Sequence, residues 1–89
     1  MTKNEHHFCR VCGLDQGDFL PWGESGLNAS HAICDCCGTE FGYEDCIVEA
    51  CRAARERWLQ RGADWFSPKE RPQDWDMKKQ LEQVPERFR

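Results

Sequence analysis

The sequence predicts a small α+β fold: two cysteine knuckles with a short β-hairpin, then a long helix, then a C-terminal strap and a short helix. Three observations predict it. The pattern Cys-x-x-Cys-Gly occurs twice, as "CRVCG" at 9–13 and "CDCCG" at 34–38. Apolar residues recur at helical spacing between Ile47 and Trp58. A proline-interrupted, tryptophan-bearing stretch then separates that helix from the C-terminus. With 89 residues the chain has room for one domain, and a core so small usually needs a staple.

The knuckles supply the staple. Seven cysteines cannot all pair as disulfides. In a Cys-x-x-Cys turn both thiols converge on one ion, and the amides between them point at the sulfurs and soften their charge. The following glycine allows the positive φ that turns the chain back. Two such turns make a tetrahedral site, with Cys9, Cys12, Cys34 and Cys37 as ligands of one Zn²⁺ per chain and iron as the alternative ion. Cys36 is the spare in "ICDCCG", because only Cys34 and Cys37 reproduce the first knuckle's spacing before a glycine. It reads as a loop thiol beside the cluster, with a redox or alternate-ligand role as the sharper alternative. Cys46 and Cys51, about 140° apart on a helix, suit core packing better than a shared ion. His6, His7 and His31 read as solvent-facing or locally hydrogen-bonded, since four cysteines already close the site.

Between the knuckles, Phe19, Leu20 and Trp22 read as one short strand, "GESG" at 23–26 as a turn, and "LNASHAI" as the returning strand. The long helix is predicted over 43–61. Glu44, Asp45 and Glu49 stand near its start and Arg52, Arg55, Arg57 and Arg61 toward its end, both favoured by the helix dipole. Gly62 provides the stop. Ile47, Cys51, Ala54 and Trp58 make one apolar stripe, widened by Cys46 and Ala50. The arginines read as a solvated face.

Residues 62–75 carry Pro68 and Pro72 together with Trp65, Phe66 and Trp75. Burying each of these aromatics contributes up to about 3 kcal/mol, so the segment is expected as a strap along the helix. A last helix is expected over 76–84, with Met77, Leu81 and Val84 on one face, Asp74 or Asp76 as cap and Pro85 as its end. The chain then divides into a metal-holding unit, 1–42, and a helical extension, 43–89, packed on it as one domain.

The doubled knuckle resembles zinc ribbons and rubredoxin-like knuckles in general. More loosely, Ile33, Cys34, Cys37, "EFGYED" at 40–45 and "EACRAARERWLQRG" at 49–62 resemble the small bacterial cysteine-rich CPCC family. The likeness covers about residues 8–62, with "CRVCG" where that family has Cys-Pro-Cys-Cys. It implies a bacterial protein and an immunity or accessory role in a toxin system.

Charge narrows the function classes. Residues 1–50 hold nine acids against Lys3 and Arg10, whereas residues 51–89 hold ten bases and seven acids. Four thiolates on one Zn²⁺ would add two more negative charges to the first half. Such a field repels phosphate backbones and suits a basic protein partner. A closed tetrahedral site offers no open position to water, and no nucleophile–base pair stands out. The expectation is a non-catalytic, zinc-stabilised protein-interaction module. A rubredoxin-like electron carrier and a nucleic-acid-binding zinc ribbon are the alternatives. The N-terminus, "MTKNEHHFCR", is polar from its first residue, and no run approaches the ~18 apolar residues of a membrane span. A cytoplasmic protein with reduced thiols is expected.

Overall fold

A cysteine, two residues, a second cysteine and a glycine make a turn that closes with two backbone hydrogen bonds. The computed structural model, which describes residues 4–89, contains that turn twice. Residues 1–3 of the expected first unit lie outside the described residues. In the first knuckle, Cys9 N donates to Leu14 O at 3.0 Å and Gly13 N to Cys9 O at 3.0 Å. In the second, Cys34 N donates to Thr39 O at 2.9 Å and Gly38 N to Cys34 O at 3.0 Å. Gly13 and Gly38 have φ of 82° and 78°, a region that costs other L-residues about 1–2 kcal/mol. A single antiparallel bridge follows each turn, Phe8 with Asp15 and Ile33 with Glu40. The two units are one motif repeated at a constant offset.

The pairing goes no further, which corrects the expected α+β zinc ribbon. Among the described residues there is no β-strand and no sheet. Between the knuckles the chain turns at Leu20–Gly23 and again at Gly23–Gly26. Asn28 N donates to Trp22 O at 3.0 Å and Ser30 N to Pro21 O at 2.8 Å, so the predicted hairpin arms do meet. Pro21 has no N–H to return a bond, and a ladder cannot grow through it. On the far side, Phe41 pairs with His31 and Ala32 through backbone bonds of 3.1 and 2.9 Å. His31 (φ 64°) and Gly42 (φ 102°) leave the extended region at both ends of that contact.

The helix α1 runs Val48–Gln60, not 43–61. Asp45 is the reason. Its carboxylate accepts from Gly42 N at 2.7 Å and from Trp22 Nε1 at 2.8 Å, and its carbonyl accepts from the Arg10 guanidinium at 3.2 Å. A residue so committed cannot sit in a helical turn, and it is fully buried. The stripe is correspondingly shorter: Cys51, Ala54 and Trp58 are buried, while Cys46 and Ile47 precede the helix and are exposed. Gly62 ends the helix as expected. Gly62 N donates to Leu59 O and Ala63 N to Trp58 O, the paired bonds of a Schellman motif.

The segment 62–75 is not an extended strap along α1. Phe66 N and Ser67 N donate to Cys36 O and Asp35 O at 2.9 and 2.8 Å, so it crosses the second knuckle, then turns through a 3-10 helix at Pro68–Glu70. Trp65 is buried and Trp75 half-buried, with ring centroids 5.6 Å apart in an edge-on contact, and Trp75 also meets Trp58 at 6.4 Å. Phe66 stays exposed. The last helix, α2, covers only Met77–Leu81, capped by Asp76, whose side chain accepts from Lys79 N. A 3-10 turn at Glu86–Phe88 closes the chain and buries Phe88.

The backbone of α2 lies directly on the first knuckle. A Cβ on Gly13 would stand 2.1 Å from Gln80 O, whereas a Cβ on Gly17 (φ 70°) would meet nothing within 4 Å. Both Gly→Ala changes cost about 1–2 kcal/mol for the left-handed backbone. Only Gly13→Ala must also push α2 off the knuckle. Urea unfolding is expected to show Gly13→Ala as the more damaging of the two by at least about 1 kcal/mol, and equal losses would contradict this packing.

Candidate metal centre

The two knuckles face each other and bring the Sγ atoms of Cys9, Cys12, Cys34 and Cys37 within 4.8 Å of one another. All four residues are buried, Cys37 the most exposed at 4%. Across the knuckles, Cys9 and Cys37 sulfurs stand 3.7 Å apart, as do those of Cys12 and Cys34. A tetrahedron with metal–sulfur bonds of ~2.3 Å has sulfur–sulfur edges of about 3.8 Å. The cluster therefore fits one tetrahedral, thiolate-bound ion.

Its electrostatics suit a cation. Burial pushes the Cys9 and Cys12 thiols well up. Cys34 is held well down, first by the Cys12 thiol and then by those of Cys37 and Cys9. Four thiolates can coexist there only around a positive ion. Donors already face the sulfurs: Val11 N stands 3.4 Å from Cys9 Sγ and Gln16 Nε2 3.6 Å from Cys34 Sγ. The Thr39 hydroxyl lies 3.1 Å from Cys37 Sγ.

Arginines of α1 and its C-cap reach both knuckles, so the reading of a solvated face fails for the half-buried Arg55, while Arg61 is exposed and also bonded. Arg55 donates to Val11 O at 2.7 Å, Arg10 O at 3.0 Å and Phe88 O at 2.8 Å. Arg61 donates to Cys37 O at 2.9 Å. Burial lowers the pKa of Arg55, while nearby cysteine thiolates, Cys51 first and then Cys9 and Cys12, pull it the other way. A thiolate-rich centre thus has a guanidinium beside it. From α2, Gln80 Nε2 donates to Cys12 O at 3.1 Å and to Cys36 Sγ at 3.3 Å, and Gln83 Nε2 donates to Gly13 O at 2.9 Å. Trp75 Nε1 donates to Gln80 Oε1 at 2.7 Å, which fixes which end of the amide faces the sulfur.

The other candidates lie outside the four-sulfur group. Cys36 is fully buried with the Gln80 amide on its sulfur. Cys51 is buried, as core packing requires. Cys46 is not: its thiol is exposed and donates to Gly42 O at 3.2 Å. His7 Nδ1 meets Gly17 O at 2.8 Å, and His31 Nδ1 lies 3.8 Å from Glu40 at the surface. His6 is half-buried, and a Cβ on Gly26 would strike its ring. Gln80, Arg55 and Arg61 carried no readable signal, because their partners lie in distant segments and are mostly backbone carbonyls.

Comparison with protein-family models, with curated proteins and with solved structures gives no match for this chain. What stands of the resemblance is the four-cysteine cluster itself; membership of the CPCC family has no support from a matched relative. Among the described residues, no helix is long and apolar enough to cross a membrane.

Cys51 gives the centre's surroundings a pH signature. Burial, with the Asp45 charge adding to it, pushes its thiol from the ordinary 9.0 up to about 11. The folded state holds this proton more tightly than the unfolded one. The resulting stability is present below about pH 9 and is lost as pH rises through 11. Urea midpoints of the metal-loaded chain are expected to fall over that window, with a smaller fall in Cys51→Ala. An identical fall in both proteins would refute the assignment.

Proposed function

We propose that this chain is a non-enzymatic protein-interaction module held in shape by one Zn²⁺ on Cys9, Cys12, Cys34 and Cys37, and that its partner is a basic protein. The observation that carries this reading is the burial of all four sulfurs at the spacing of a closed tetrahedron. Closed four-thiolate sites stabilise folds, whereas catalytic zinc sites keep a position open. Zinc in particular suits a site whose purpose is structural, having no redox chemistry of its own.

Two further observations weigh against the alternatives. An electron carrier needs its metal near the surface, and here α2 and its flanks close over the first knuckle while Phe66 and Ser67 cross the second. A nucleic-acid binder needs outward cations. Arg52, Arg55, Arg61 and Arg89 donate to this chain's own carbonyls and Arg57 and Arg87 pair with Glu44 and Glu5, which leaves the exposed Lys69, Arg71, Lys78 and Lys79 for that role. No matched family supports the immunity or accessory role implied by the cysteine clusters, and it forms no part of this reading.

Metal analysis of protein purified without added ions is expected to give one zinc per chain. Cys34→Ser and Cys37→Ser should abolish binding, and Cys36→Ser should not. Structural zinc sites supply an apparent 10–16 kcal/mol or so, about the whole stability of a domain, so a strong chelator is expected to collapse the helical circular dichroism signal. A red, iron-loaded protein would favour the electron carrier instead. Unchanged dichroism after verified metal removal would sink the structural role.

A further inference from the structure

Two loops that are far apart in sequence are stapled side by side. The Arg10 guanidinium, buried at 7% exposure, donates to Gly26 O at 2.9 Å and to Asp45 O at 3.2 Å. It is stacked between the rings of Trp22 and Phe88 at 4.0 and 4.2 Å. Trp22 Nε1 and Gly42 N both donate to the Asp45 carboxylate, and Gly42 packs so closely on Ala29 that a Cβ there would stand 2.5 Å from it. Loops 21–30 and 41–47 are therefore one rigid unit, built from the inside.

The outside of that unit is unusual in two ways. It carries the three most exposed large apolar side chains on these loops: Leu27 at 80%, Tyr43 at 77% and Ile47 at 59%. Residues so apolar are costly to leave in water on a preorganised surface. Its two segments also carry no lysine or arginine of their own, although Arg57 of α1 reaches Glu44. No lysine or arginine occurs between Arg10 and Arg52, while Glu24, Glu40 and Glu49 are exposed and Glu44 pairs with Arg57 at 3.0 Å.

We infer that the Leu27–Tyr43–Ile47 surface is a docking site for a cationic protein segment, one with lysines or arginines flanking apolar anchor residues. The inference deepens the interaction-module reading and rests on it. Charge decides the occupant. A nucleic acid or an anionic lipid surface would bring phosphates against these glutamates, and a second copy of the chain would set two acidic faces together. A cationic amphipathic segment satisfies both features at once, with apolar anchors on Leu27, Tyr43 and Ile47 and its charges on the acidic rim. The rigid loops leave little ordering cost on this side of the complex.

The test uses zinc-loaded protein and three synthetic 16-residue probes: a lysine–leucine amphipathic peptide, its glutamate–leucine counterpart, and a lysine–serine peptide without apolar anchors. Affinities are read by fluorescence anisotropy at two salt concentrations, with a DNA duplex as a fourth probe. The lysine–leucine peptide is expected to bind tightest, at least tenfold above the other two peptides. The triple variant Leu27→Ser, Tyr43→Ser, Ile47→Ser should weaken it at least tenfold while thermal unfolding and zinc content stay unchanged. Glu24→Lys with Glu49→Lys should weaken it further as salt falls. If the triple variant binds the lysine–leucine peptide like native protein, the surface is wrong although the interaction-module reading survives. If no peptide binds, or if the duplex is preferred, both fall. Should the triple variant lose its fold, Tyr43→Ala alone carries the same comparison, because Tyr43 is exposed on a loop whose hydrogen bonds come from Asp45.

Discussion

Four buried sulfurs within one tetrahedron's reach impose a severe constraint on an 89-residue chain. Two tight turns must be held face to face, although each has only one bridge pair to lean on. Turns of this kind leave carbonyls pointing outward with no ladder to receive them, and buried carbonyls must find donors. The rest of the chain supplies those donors. Arg55 takes Arg10 O and Val11 O, Gln80 takes Cys12 O, and Gln83 takes Gly13 O. On the second knuckle, Ser67 N takes Asp35 O, Phe66 N takes Cys36 O and Arg61 takes Cys37 O. Helix, crossing segment and tail are arranged round the knuckles as donors as much as apolar cover.

A second node, Arg10 with Asp45, joins this centre to the loops outside it. Arg10 lies inside the first knuckle, between Cys9 and Val11, so its position follows from that turn. Burial lowers its pKa, opposed chiefly by the Asp45 charge. Buried charges of this sort persist only with near-complete hydrogen bonding, and here Arg10 donates to Gly26 O and Asp45 O while the Asp45 carboxylate accepts from Gly42 N and Trp22 Nε1. The cation–π stack on Trp22 and Phe88 adds the tail to the same node. Metal centre and outer loops are thus mechanically connected through one residue of a knuckle.

Which cysteines converge was legible because Cys-x-x-Cys-Gly is a local geometry, complete within five residues. The stop at Gly62 was legible for the same reason, and the cap of the last helix was narrowed to Asp74 or Asp76, of which the structure uses Asp76. The strands were misread because the apolar residues around Phe19 and Ile33 were given more weight than the missing N–H of Pro21, and because the positive φ of His31 is not visible in the sequence. The helix start was misread because Asp45 fits a dipole-favoured first turn equally well as a buried acceptor; only its three-dimensional neighbours, Trp22 and Arg10, decide. Arg55 and Arg61 looked like solvent-facing charges for a related reason. A long side chain on an exposed-looking helix position can reach backward to a carbonyl, and spacing on the helix says nothing of that reach.

The partners of these arginines also bear on the charge asymmetry. Counted by sequence, the second half is basic and the first acidic. Arg52, Arg55, Arg57, Arg61, Arg87 and Arg89 bond to carbonyls of the knuckles and tail or to Glu44 and Glu5, yet every base of the second half except Arg55 remains exposed, Lys69, Arg71, Lys78 and Lys79 among them. The acids of the first half have few internal cations to meet, because Arg10 is buried and the next base is Arg52. Acids without bases therefore stand on the loops between the knuckles and before α1, and the bases stand on α1, the crossing segment and the tail. Leu27, Tyr43 and Ile47 are exposed on those base-free loops.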